Sequence, residues 1–168
     1  MSLADETGSG ALVDVLLRLA VAALVGMAIG MNRDLKGKPT GMRTLSLVAL
    51  GAALVSVATV HYPGILSHPD ALSRVLQGII QGVMAGVGFI GAGVILRDKK
   101  HQDVHNLTTA ATVWVTAALG IACALAAWAI VCIGVSFALL ILLSAPLERM
   151  ILRLLGTSRS QDQQIDQP

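Results

Sequence analysis

Residues 108–144 read TTAATVWVTAALGIACALAAWAIVCIGVSFALLILLS, an unbroken stretch without one formally charged side chain. As a single straight helix, at 1.5 Å per residue, it would reach roughly 55 Å, far beyond the roughly 30 Å hydrocarbon layer of a bilayer. It must fold back on itself. Length alone places a tight turn between residues 120 and 127, which gives spans at about 107–122 and 125–144. Moving towards the amino terminus, residues 75–96 form a glycine-rich apolar block. Residues 44–60 form a shorter one with Ser46, Ser56 and Thr59, and residues 11–31 form a first one interrupted only by Asp14 and Arg18. Those two lie four apart with the acid first, the favourable order for an ion pair on one helix face.

The composition agrees. Of 168 residues 55% are apolar and 13% charged, where a water-soluble domain carries about a quarter charged residues. Apolar blocks of this length have no place to hide from water, which excludes a disordered chain and an ordinary soluble enzyme. A net charge of +2 and 3% aromatic residues exclude a nucleic-acid partner. Cys123 and Cys132 sit inside apolar sequence and read as small apolar fillers. The expected fold class is all-α: a polytopic membrane protein with five transmembrane helices. A short interfacial helix over 147–155 is expected to follow, with mixed faces. The expected organisation is an extracytoplasmic tail over 1–10, a transmembrane domain over 11–156 and a disordered cytoplasmic tail over 157–168. The first ten residues hold Asp5 and Glu6 but no Lys or Arg. A cleavable signal needs a basic segment there, so the first block is expected to remain a true span.

Orientation follows from the cations. Arg33, Lys36, Lys38 and Arg43 follow the first span; Arg97, Lys99 and Lys100 follow the third; Arg149, Arg153 and Arg159 follow the fifth. Basic residues are retained on the cytoplasmic side. Three separate segments therefore agree on a cytoplasmic carboxyl terminus and an external amino terminus, and the segment 61–73 between the second and third spans has no cation to oppose them.

Within the spans, Gly78, Gly82 and Gly86 recur every four residues, followed by Gly88, Gly91 and Gly93. Small residues at this spacing let a neighbouring backbone approach. They read as packing within one subunit or as a homodimer or gating face. Gln77 and Gln81, one turn apart, read as interhelical hydrogen-bonding groups or as the lining of a polar path. Thr108, Thr112 and Thr116 form a stripe, and threonines so placed return hydrogen bonds to their own helix. His101 and His105, with Asp98 and Asp103 nearby, are too loosely spaced for a metal cage and read as a solvated loop. No catalytic, cofactor or metal residue is expected, and an enzyme is the least favoured class, since nothing pairs a nucleophile with a base.

The densest polar grouping runs from Asn32 to Thr44: Asn32-Arg33-Asp34, then Gly37, Pro39 and Gly41, then Met42-Arg43-Thr44. It reads as a compact loop that holds Arg33, Asp34 and Arg43 together at the membrane boundary. Its role is that of a positive-inside anchor with salt bridges, or of a junction that contacts a partner or gates an ion route.

Here Gly30-Met31-Asn32-Arg33-Asp34 with Gly37-Lys38-Pro39-Thr40-Gly41-Met42-Arg43-Thr44 resembles the first motif of the MgtC/SapB family of bacterial inner-membrane proteins. Gly86-Val87-Gly88-Phe89-Ile90-Gly91-Ala92-Gly93 followed by Leu107-Thr108-Thr109-Ala110-Ala111-Thr112 resembles the second. The resemblance implies a small multi-spanning protein that regulates other membrane machinery, an ATPase or a transporter, in magnesium limitation or virulence-type stress; the alternative is a magnesium-linked ion or small-solute transporter. It implies another membrane protein as partner, beside the bilayer that the apolar blocks require and the second copy of the chain that the glycine stripe of the third span would accept. It places the family's charged residues on Arg33, Asp34 and Arg43 and its threonine pair on Thr108 and Thr109. Three positions depart from the pattern. Asn32 stands for the usual Glu, Leu45 for a frequent His, and Asn106 for the usual Gly. The short form, without the soluble regulatory domain of virulence-associated members, is expected.

Overall fold

The computed structural model describes residues 8–60, 69–97 and 104–144. They form five helices: α1 (Ser9–Leu35), α2 (Met42–Val60), α3 (Pro69–Val94), α4 (Leu107–Ala124) and α5 (Trp128–Leu143). Between α3 and α4, β1 (Leu96–Arg97) pairs antiparallel with β2 (Val104–His105), Leu96 opposite His105 and Arg97 opposite Val104. This short ladder, which the sequence does not announce, satisfies backbone groups just beyond the end of α3. The expected interfacial helix over 147–155 and both tails, apart from the first residues of α1, lie outside the described residues.

Gly10–Leu35, Met42–Val60, Leu72–Val94 and Leu107–Ala124 are long and apolar enough to cross a membrane; α5, with 16 residues, is shorter. The exposed surface is apolar where a soluble protein's would be polar. Leu16, Leu24, Phe89, Ile130, Phe137 and Leu140 all lie open on it. Such a surface is stable only against hydrocarbon. The protein is therefore a multi-pass membrane protein.

The middle of the bundle is α4, which packs against the four other helices. It buries Thr109, Thr112, Val113, Thr116, Ala117 and Gly120 among others, whereas α5 buries only Val131. The inner face of α1 repeats Ala22, Val25, Gly26, Ile29, Gly30 and Arg33, and α2 answers with Leu45, Ala49, Ala52, Ala53 and Ser56. The helices approach closely where a side chain is missing. A Cβ on Gly26 would run into the backbone of Leu45 and Ser46, one on Gly30 into that of Met42, and one on Gly120 into that of Ala49. The Gly26/Gly30 pair at i, i+4 is thus the small-xxx-small contact of this bundle.

Helix bounds depart from expectation in informative ways. The first span extends to Leu35, so Asn32, Arg33 and Asp34 belong to the last turn of a helix, and α2 takes in Met42, Arg43 and Thr44. The loop between them is six residues, not thirteen. Helix α3 begins at Pro69 instead of 75, because proline suits a first helical position and Asp70 complements the positive helix end. The turn in the uncharged run falls at residues 125–127. Ala126 takes a left-handed φ of 53° there. Its N–H bonds the Cys123 carbonyl at 3.0 Å, and that of Ala127 bonds Ala122 at 3.0 Å, the Schellman ending that usually employs glycine.

Arg18 of α1 and Lys36, the residue that follows this helix, tie the bundle at its two ends. Arg18 Nε meets Asp14 at 2.7 Å, as the spacing predicts, and its Nη1 donates to the Ala124 carbonyl at 2.6 Å. Lys36 Nζ donates to the Leu142 carbonyl. Each serves carbonyls that the end of a helix leaves unpaired and sits at the negative pole of that helix.

Candidate functional site

The last turn of α1 brings the polar residues to the bundle's basic end. The chain leaves α1 by a second Schellman ending: Gly37 N–H bonds Asp34 O at 3.0 Å, Lys38 N–H bonds Arg33 O at 3.0 Å, and Gly37 has φ 58°. Pro39 then turns the chain so that its carbonyl faces back on Arg33, whose Nε donates to it at 3.2 Å. Arg33 is only 5% exposed, and its Nη2 donates to Thr109 Oγ1 in the first turn of α4. One guanidinium therefore ties the end of α1, the loop and the start of α4 together. Arginine suits this task because its donors lie in a fixed fork.

Asp34 works on the other side of the loop. Its carboxylate accepts the Met42 N–H at 2.9 Å, supplying an acceptor to the unpaired first turn of α2 and a negative charge to that helix's positive end. Gly41 lies so close under this carboxylate that a Cβ there would occupy its place. Gly41 is thus required for the cap, a second reason for glycine in a loop already shaped by Gly37.

Of the residues singled out in the sequence, Arg33, Asp34 and Thr109 are brought together through this junction. Arg43 and Thr44 are exposed on α2 and make no hydrogen bond or ion pair among the described residues. Thr108 is exposed as well, and its carbonyl accepts the Thr112 hydroxyl at 2.7 Å; Thr116 returns its own to Thr112 at 2.8 Å. Asn32 has a buried amide nitrogen without a hydrogen-bond partner, as does the Ser46 hydroxyl. The Asn106 departure has a structural reason. This residue adopts a left-handed φ of 68° immediately before α4, where asparagine is the best tolerated substitute for glycine, and its amide donates to Val94 O at 3.3 Å across the joint from α3.

The glycines of α3 are placed differently from those of α1. Around Gly78, Gly82, Gly86, Gly88 and Gly93 a Cβ would meet nothing within 4 Å; only Gly91 has a neighbour, Ala110, at 3.6 Å. Gln77 and Gln81 lie on the same helix, both exposed. Among the described residues no group of three His, Cys, Asp or Glu side chains could hold a metal ion; Asp98, His101 and Asp103 lie outside them. The residues missed in sequence are Gly26, Gly30 and Gly120, the close contacts of α1 and α4 on α2. The i, i+4 glycine spacing of the first two was a signal as strong as that in the third span.

The chain is 46% identical over 133 residues to protein SrpB of Synechococcus elongatus, covering 74% of this chain and 71% of SrpB. It is 42% identical over 108 residues to the "Putative magnesium transporter YhiD" of Escherichia coli K12, covering 64% of this chain and 49% of YhiD. It is 37% identical over 110 residues to protein MgtC of Salmonella typhimurium LT2, covering 66% of this chain and 43% of MgtC. The chain thus spans less than half the length of the last two. No solved structure matches it. The sequence model of the MgtC family matches residues 19–150, a stretch that takes in the Arg33–Thr109 tie, the Asp34 cap and the central helix, and the chain belongs to that family.

Proposed function

We propose that this protein is a regulatory subunit of the bacterial inner membrane, acting on an ATPase or transporter through its basic end during magnesium limitation or virulence-type stress. The observation that carries the reading is the state of the polar groups in the bundle. The buried cation, Arg33, is occupied by fixed partners, Thr109 and the Pro39 carbonyl. The acids of the described helices, Asp14, Asp34 and Asp70, stand near helix ends, not at the middle of a span. Ion carriers place unpaired charge within the membrane interior, where its cost is justified by function. A junction in which Arg33 and Asp34 are held by fixed partners, with exposed Arg43, Lys36 and Lys38 around it, suits contact with a partner surface.

The transport reading draws support from the name given to YhiD and from the exposed Gln77 and Gln81. Purified protein in liposomes separates the two. Regulation predicts no substrate-dependent magnesium flux and co-purification of an ATPase or transporter subunit. Flux that disappears on Gln81→Ala or Thr108→Val would establish transport instead. We place the amino terminus outside and the carboxyl terminus in the cytoplasm, on the strength of the cation distribution; reporter fusions that put both ends on one side would refute that orientation.

A further inference from the structure

Helices α2 and α3 touch little and diverge around a cleft of about 630 Å³. Its walls are Leu47, Gly51 and Val55 from α2 and Val83, Gly86 and Ile90 from α3, and Thr44 supplies its polar end. Leu47, Gly51, Val55, Gly86 and Ile90 are exposed, so the cleft opens on the outside of the bundle, where lipid lies. Glycine keeps it open: a Cβ on Gly51 or Gly86 would meet nothing within 4 Å.

Three properties define what fills it. The first is length. From Thr44 to Val55 the α2 wall rises about 16 Å at 1.5 Å per residue, the depth of one leaflet of a hydrocarbon layer of about 30 Å; a partner's transmembrane helix would need a groove twice as long. The second is chemistry, since a volume in the usual range of small-ligand sites (roughly 300–1,000 Å³) with almost purely aliphatic walls suits a hydrocarbon chain. The third is charge. At the polar end Arg43 is exposed, one turn before Leu47 and so on its face of α2. Side chains tilt towards the amino end of their helix, which directs Arg43 away from the apolar walls and towards the membrane surface. Neither Arg43 nor Thr44 has a partner among the described residues. The segment from Arg33 to Arg43 carries four cations against the carboxylate of Asp34.

We propose that this cleft binds one anionic phospholipid, an acyl chain lying between α2 and α3 and the phosphate received by the Arg43 guanidinium and the Thr44 hydroxyl. The test is native mass spectrometry of the full chain in mild detergent, titrated with phosphatidylglycerol or phosphatidylcholine. One phosphatidylglycerol is retained, at least tenfold more tightly than phosphatidylcholine. Arg43→Gln abolishes that preference, and Gly86→Leu, whose Cβ has open space around it and whose longer side chain enters the cleft, lowers retention of both lipids about tenfold. Gly51→Leu does the same from the opposite wall and stands in if Gly86→Leu loses its helical circular-dichroism signal. Gly93→Leu, open but outside the cleft, retains lipid as the parent does. Equal retention of the two lipids by the parent chain, unaltered binding in both cleft variants, or displacement of the lipid by inorganic phosphate alone would overturn the proposal. So would a lipid-free dimer as the stable species.

Discussion

Two glycine repeats of equal spacing lie on two helices and do opposite things. On α1, Gly26 and Gly30 press against the backbone of α2, so close that no side chain fits. On α3, Gly78, Gly82 and Gly86 face open space. The spacing i, i+4 specifies only that small residues share a face. Whether that face meets a neighbour depends on how far the neighbour stands away, and α3 leans on α4 while leaving α2 at the cleft. In α1 the glycines create a joint with no room for a side chain; in α3 they keep a surface free.

The sharpest way to break this contrast is alanine on each stripe. Gly26→Ala drives a methyl group into the carbonyl of Leu45 and the Cα of Ser46. Backbone atoms cannot swing aside as side-chain tips do, so the cost lies at the upper end of overpacking, about 3 kcal/mol. Gly82→Ala adds a methyl group where nothing stands and removes the flexibility of glycine, a gain of about 0.5–1 kcal/mol. Reversible unfolding in mixed micelles, followed by circular dichroism, measures both. Equal shifts for the two would mean that the stripes are equivalent after all.

The next effect in size divides two neighbouring threonines. Thr109→Val removes the hydroxyl that receives Arg33 and leaves a buried guanidinium short of one partner. The loss of a hydrogen bond to a charged group costs about 1.5–3 kcal/mol. Thr108→Val, one residue earlier but exposed, costs less than about 0.5 kcal/mol. The same unfolding assay reads the difference. If Thr108→Val were the more damaging, the junction would be tied through the other hydroxyl. Arg43→Ala likewise leaves stability within about 0.5 kcal/mol of the parent, because its guanidinium holds no part of the fold together.

Much of this was legible in the residues. Five apolar blocks became five helices, because hydrophobic length is the signal that a bilayer demands. Asp14 and Arg18 pair as their spacing requires, and the Thr112 and Thr116 hydroxyls return to their own helix. The polar junction was visible as a cluster of unlike residues, but its internal order was not. Arg33 and Arg43 look equivalent in sequence. Only the helical phase of α1, which continues the Ala22, Gly26 and Ile29 face to Arg33, puts one inside and leaves the other out. The glycine contacts of α1 escaped for a related reason: close approach is a property of two helices, and sequence displays one at a time. The Asn106 substitution became intelligible once its φ was known, since composition carries no sign of a left-handed residue unless glycine marks it.

A further contrast lies between the two helix endings with the same hydrogen bonds. Gly37 closes α1 with φ 58° and Ala126 closes α4 with φ 53°, so equal geometry is met by glycine at one end and alanine at the other. A Cβ in the left-handed region costs about 1–2 kcal/mol, and glycine costs about 0.5–1 kcal/mol more entropy than alanine on folding. The difference favours glycine in both turns. Gly37→Ala should therefore destabilise the protein, and Ala126→Gly should stabilise it, each by about 0.5–1 kcal/mol. Opposite signs from mirror-image substitutions are a demanding outcome for the micelle assay. A loss on Ala126→Gly would show that the alanine methyl group contributes packing between α4 and α5 worth more than the strain it carries. The missing glycine is also why the turn hidden in the uncharged run had to be found by length.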